Sequence, residues 1–215
     1  MPRVFVTGGT GYIGRRLIPV LQARGHSVCA LVREGSQRRL PPGCEIHVGD
    51  PLARATFEAA IEPGDTVVQL VGVPNPSPLK AQQFFDVDLV SARESIAAAR
   101  ARAAGHFVYV SVAQPAPVMK AYQTARGVAE GHLAHSGLPA TILRPFYVLG
   151  PGHRWPMALI PIYALLERLP GTRSTALRLG LVTITQMVAA LVWAVEFPPE
   201  TTRFFTVPDI RKARL

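Results

Sequence analysis

The sequence predicts an α/β fold: a parallel sheet covered by helices on both faces, with a small C-terminal lid region. Three observations predict it. Strand and helix signals alternate from the start of the chain, the strands are short apolar runs, and a glycine-rich turn, Thr7-Gly8-Gly9-Thr10-Gly11-Tyr12-Ile13-Gly14, lies between the first strand and the first helix.

The elements follow in order. Residues 4–7 read as a strand and 14–24 as a helix ended by Gly25; 27–32 and 45–48 are the second and third strands. A helix is predicted over 52–61, then the turn Pro63-Gly64-Asp65 and a fourth strand over 66–71. The loop Pro74-Asn75-Pro76-Ser77-Pro78 is too stiff to be helical. A long helix over 82–104, alanine-rich after Ser95, stops at Gly105, and a fifth strand covers 107–111. Pro115 and Pro117 mark a loop before a helix over 118–135, stopped by Gly137, and 140–144 is the sixth strand. After Pro145 the alternation loosens: helix over 157–169, extended chain over 177–184, helix over 186–196 and a closing strand over 204–207. We therefore expect a nucleotide-binding domain over 1–152 and a small substrate or lid region over 153–215, packed on the same domain.

Composition narrows the function. A hydrophobic fraction of 48% with 17% charged residues suits one globular domain with a real core. The net charge of +9 comes almost wholly from arginine, since the only lysines are Lys80, Lys120 and Lys212. The arginines are scattered, which suits phosphorylated ligands or peripheral contact with an anionic membrane; nucleic-acid binding would need a clustered basic face with aromatic partners. Cys29 and Cys44 offer neither a disulfide framework nor a metal spacing, so a cytoplasmic protein is expected. Met1-Pro2-Arg3 runs straight into the first strand, with no leader expected, and the apolar stretch 181–197 reads as a strand and a buried helix, not a membrane span.

The glycine turn carries the strongest signal. Gly8 permits the tight turn off the strand, Gly11 lets backbone approach a pyrophosphate, and Gly14 lets the helix lie close on the sheet. The helix N-terminus then offers N–H groups and a positive dipole end to phosphates. This is a Rossmann-type dinucleotide site. Where the unphosphorylated cofactor is preferred, an acid near the end of the second strand accepts from the ribose hydroxyls. Here that strand ends Leu31-Val32-Arg33, with no acid. Arg33 and Arg15 would instead meet a 2′-phosphate, so NADP is expected in preference to NAD.

With these residues in hand, the chain resembles the extended and atypical branch of the short-chain dehydrogenase/reductase superfamily, which includes NAD-dependent epimerases and dehydratases. The anchors are Thr-Gly-x-x-Gly-x-x-Gly from Thr7, Gly49-Asp50, and Arg144-Pro145 followed by Val148-Leu149-Gly150-Pro151-Gly152. The resemblance implies that Asp50 touches the adenine ring, that Val71-Gly72-Val73 lines the cofactor, and that Pro145 and the residues just after it lie by the nicotinamide. It implies a Ser, a Tyr and a Lys as catalytic residues, the last two as Tyr-x-x-x-Lys. Ser111 matches the serine and Tyr122 the tyrosine, but the fourth residue on is Arg126. Arginine keeps the charge and changes the geometry, so Arg126 on the ribose and Tyr122 as acid/base stand as expectations. Lys120, two residues before Tyr122, leaves another helix face. Asp88 falls where the family often has a helix asparagine.

Weaker candidates remain. His132 and His135 lack a third metal ligand and read as surface histidines; no metal is expected. His153 and Arg154 would either reach an anionic substrate or lie in solvated loop. Trp155, Met157, Leu159, Ile160, Ile162 and Tyr163 are either core packing or the wall of an apolar substrate site. The resulting expectation is an NAD(P)-dependent oxidoreductase acting on a carbonyl or alcohol, as a monomer or homodimer. The alternatives are an NADPH sensor or respiratory-complex accessory protein with drifted catalytic residues, or a sugar-nucleotide epimerase.

Overall fold

Alternation within the strands divides the core in two. In a computed structural model describing residues 3–152, 171 and 173–215, Val4 and Val6 pack into one apolar cluster and Phe5 into another across the sheet. Val108 and its neighbours Phe107 and Tyr109 divide in the same way. Successive side chains leave opposite faces of a strand, so a strand without polar positions must be covered on both sides.

The strands are β1 (Val4–Thr7), β2 (Val28–Val32), β3 (Glu45–Val48), β4 (Thr66–Gln69), β5 (His106–Val110), β6 (Ala140–Leu143), β7 (Tyr147–Leu149), β8 (Leu181–Thr183) and β9 (Thr202–Phe205). Seven of them form one parallel sheet in the order β3-β2-β1-β4-β5-β6-β9, while β7 and β8 pair with each other. The order reverses direction between β1 and β4, the switch point at which doubly wound folds place their ligands. The expected Rossmann-type α/β sheet is present.

The helices are α1 (Gly14–Ala23), α2 (Ala81–Gln83), α3 (Val90–Ala101), α4 (Lys120–His135), α5 (Arg173–Arg178), α6 (Ile184–Glu196) and α7 (Val207–Lys212). A π-helical segment, Phe84–Leu89, joins α2 to α3 and buries Phe84 and Asp88. On one face Leu17, Ile18 and Leu21 of α1 share a cluster with Met187, Leu191 and Val195 of α6. On the other, Ile96 and Ala99 of α3 share one with Ala129 and Leu133 of α4.

The structure departs from the expected elements in three places. The stretch 52–61 is two 3₁₀ turns, Arg54–Thr56 and Glu58–Ala60, not a helix. Side chains there satisfy the backbone: Leu52 N–H donates to Asp50 Oδ1 at 2.9 Å, and Thr56 Oγ1 donates to the Ala53 carbonyl at 2.7 Å. The extended stretch 177–184 divides into the end of α5 and β8. The closing strand is followed by α7, opened by a Thr206/Asp209 capping box with Pro208 in its first turn. The sheet also continues past residue 152, because β9 pairs with β6. The helix expected over 157–169, the apolar residues Trp155 to Tyr163, and His153 and Arg154 lie outside the described residues.

Candidate functional site

The turn after β1 is built so that only glycine fits where it matters. Gly8 has φ +73°, and a Cβ there would lie 2.8 Å from the Leu70 carbonyl carbon at the end of β4. A Cβ on Gly14 would stand 2.5 Å from Gly8 O and 2.6 Å from Gly9 Cα, so the turn lies flat on the first residue of α1. That helix opens with no side-chain cap and no acidic residue in its first turn. Its positive dipole end suits a pyrophosphate. The backbone-to-backbone fit and the anion-ready helix end both match a dinucleotide.

These residues form one wall of a cleft of about 550 Å³. Gly8, Gly11, Tyr12, Ile13 and Gly14 line it from the turn, and Gly72 and Val73 from the loop after β4. Val110, Tyr122 and Arg126 complete the far end, with Phe146, Tyr147 and Val148 beside β7. Of the other residues expected at the cofactor, Thr10, Val71 and Pro145 do not line the cleft; Pro145 is buried and its place is taken by the three residues after it. Thr7 is also buried, its hydroxyl donated to the Gln69 side-chain carbonyl of β4. The residues just after Pro145 line the cleft, while Pro74 and Pro76 of the loop after β4 were not anticipated as lining.

Helical spacing brings Tyr122 and Arg126 to the same face of α4, as expected. The guanidinium lies 5.1 Å from the Tyr122 ring centroid, within cation–π range. Its fork is engaged by the protein: Nη2 donates to Asp88 Oδ1 at 2.6 Å and Nη1 to the Val110 carbonyl at 2.7 Å. Burial opposes the charge on Arg126, but Tyr122, Tyr109 and Asp88 outweigh it and hold its pKa above the ordinary arginine value. Burial pushes the Tyr109 hydroxyl up to about 12, so it stays a neutral neighbour. Asp88, with no exposed surface, also accepts from the Val73 amide through Oδ2 at 2.9 Å. Gly72 leaves the passage for the arginine, since a Cβ there would lie 2.4 Å from Arg126 Nη2.

Ser111 stands elsewhere. Its hydroxyl donates to Glu130 of α4, and the residue is buried and absent from the cleft lining. Arg144 grips the same carboxylate, Nε at 3.1 Å from Oε1 and Nη2 on Oε2. Strand parity is the cause. Val110 faces the cleft, so the next residue leaves the opposite side, toward the Tyr109 face of the sheet and α4. Glu130 escaped notice in the sequence, although its place eight residues after Tyr122 and four after Arg126 puts it on their helix face.

The ends of β2 and β3 are more open. The pairing of Thr7 with Leu31 sets the end of β2 level with the glycine turn, and Arg33 follows there with an exposed side chain. Arg15, on α1, is exposed as well, and neither arginine enters an ion pair among the described residues. Asp50 is exposed after β3. Lys120 turns away from Tyr122 and donates to the Ala116 carbonyl at 2.9 Å. His132 and His135 are exposed, and the described residues hold no metal-binding cluster. No described helix is long and apolar enough to cross a membrane.

Comparison with known proteins agrees with this geometry. A family model described as NAD(P)H-binding matches residues 8–152. Among curated proteins, the chain is 26% identical over 191 residues to a ceramide reductase of Caulobacter vibrioides, covering 88% of this chain and 59% of that protein. It is 32% identical over 176 residues to a 3-diazoavenalumate denitrifying reductase of a Streptomyces species, covering 70% and 57%. The chain thus spans under two thirds of the length of either relative. The Bordetella bronchiseptica enzyme WbmH, solved with NAD+, superposes with a TM-score of 0.71 at 22% identity, covering 96% of this chain and 75% of that one. Thermus thermophilus UDP-glucose 4-epimerase, solved with NAD, gives 0.67 at 21%, covering 97% and 81%.

Proposed function

This chain belongs to the NAD(P)H-binding family, and from that premise we propose that it is an oxidoreductase acting on a carbonyl or alcohol carbon. The observation that carries the reading is Tyr122, with Arg126 against its ring, at the far end of the cleft that the glycine turn opens. A nicotinamide held by the cleft would supply or accept the hydride. In the reducing direction Tyr122 would give its phenolic proton to the substrate carbonyl oxygen; in the oxidising direction its phenolate would take the proton from the alcohol. Gly72, Val73 and Val110 shape the wall beside it, and the prolines of the 74–78 loop keep that wall apolar and stiff. An apolar substrate suits such a wall, and the ceramide reductase among the relatives supports that class.

NADP is the preferred form in this reading. Arg33 and Arg15 flank the place of the adenosine ribose, neither charge is taken up by an acid among the described residues, and no acid ends β2. The test of the chemistry is oxidation of NADPH, followed by its absorbance, against a panel of aldehydes, ketones and quinones. Tyr122→Phe should slow turnover by about 10²–10⁴-fold with cofactor binding retained. Unchanged turnover would rule out the tyrosine as acid/base.

One specific observation favours a second reading, a cofactor-binding protein without turnover. Both auxiliary groups of the expected catalytic set are spent inside the protein, Ser111 on Glu130 and Arg126 on Asp88 and Val110. Stoichiometric NADPH binding, with no oxidation by any member of the panel, would decide for it.

A further inference from the structure

Asp88 does not line the cleft, yet its two carboxylate oxygens reach two of the cleft's walls. Oδ2 holds the amide of Val73, from the loop after β4, and Oδ1 holds Arg126 of α4. Through Arg126 the connection extends to the Val110 carbonyl at the end of β5 and to the ring of Tyr122. We propose that Asp88 is a positioning residue for the nicotinamide end of the cofactor: by fixing Val73 and Arg126 together it sets the spacing between the post-β4 loop and the Tyr122 face. The proposal rests on the reading above, in which the nicotinamide lies beside Tyr122.

Three features support a positioning role over simple packing. Asp88 is 0% exposed and Arg126 5%, so each charge is stable in the interior only with the other beside it. Only a carboxylate can accept from both donors at once and also neutralise the guanidinium; an amide would accept with its oxygen and turn an NH₂ toward the other donor. Gly72 cannot carry a side chain without striking the guanidinium, so the loop and the arginine are matched to each other. A buried hydrogen-bonded network of this kind holds its members rigidly in one arrangement.

Binding of two ligands to the folded chain separates this role from a general structural one. NADPH reaches the whole cleft, whereas adenosine 2′,5′-bisphosphate occupies only its adenosine end. Asp88→Asn should raise the Kd of NADPH about tenfold, the scale of one lost hydrogen bond to a charged group, and leave that of the bisphosphate within about twofold. If Asp88→Asn fails to fold, Asp88→Glu keeps the buried charges paired but displaces the carboxylate by one methylene, and should show the same selective loss. Equal weakening of both ligands, or NADPH binding unchanged, overturns the proposal. If the unaltered chain binds NADPH no better than the bisphosphate, the nicotinamide contributes nothing at Tyr122, and the reading of the preceding subsection falls instead.

Discussion

Replacing Gly72 by alanine would place a Cβ 2.4 Å from Arg126 Nη2, and the clash has no inexpensive relief. The guanidinium is a side-chain end, which in solvent would swing aside. Here it is held at 2.6 Å by Asp88 and at 2.7 Å by the Val110 carbonyl, and it is buried. Removing one partner of a buried ion pair costs about 3–5 kcal/mol; displacing it with partial re-pairing should cost about 2–3 kcal/mol. For a chain of this size that lowers Tm by roughly 5–10 °C. Urea denaturation of Gly72→Ala, Arg126→Met and the double variant gives the measurement. In the Arg126→Met background the added methyl group meets an uncharged and more compliant side chain, so the cost of Gly72→Ala should fall by about 2 kcal/mol. A penalty below about 0.5 kcal/mol, or one equally large in both backgrounds, would refute the claim that the glycine exists to let the arginine pass.

Three other outcomes are expected. Burial, with Arg203 adding to it, pushes His106 down to about 4. Because the unfolded chain then binds the proton more readily, stability is present above the ordinary histidine pKa and is lost as pH falls from about 6.5 toward 4; urea unfolding should weaken by about 2 kcal/mol between about pH 7 and pH 5, and His106→Asn should abolish that part of the slope. Arg33→Asp should move the ratio of Kd values for NADPH and NADH at least about tenfold toward NADH in a direct titration, and an unchanged ratio would remove Arg33 from the ribose site. Gly14→Ala meets backbone at 2.5 Å that has nowhere to go, so calorimetry should detect no NADPH binding by any protein that still folds.

The central sheet was legible because its evidence is local and repeated. Apart from β3, each strand from β1 to β6 is a short, mostly apolar run between turn residues, and the Gly8/Gly11/Gly14 spacing has one physical use between a strand and a helix. Two differences have local causes too. The 52–61 stretch has helix-forming alanines, but Asp50 and Thr56 offer the backbone bonds that compete with a helix. Ser111 was matched to the family serine by its place at a strand end, while the parity that turns it toward Glu130 was available from Val110 and Tyr109. The Asp88–Arg126 pair was not legible. Its partners are 38 residues apart in sequence, and their meeting depends on how two helices cross the sheet.

The π-helical segment that carries Asp88 makes this site sensitive to chain length as well as to residue identity. A π turn accommodates one residue more than an α turn. Losing a single residue between Phe84 and Leu89 would return the stretch to regular α-helix with its flanks kept near their present faces, while the widened turn that sets the direction of Asp88 would be gone. A descendant of this chain could therefore give up the grip on Arg126 by a one-codon deletion that leaves Asp88, Arg126 and Gly72 all in place. Relatives that retain all three residues would then differ in the helix between them, and a count of matching residues would pass over the change.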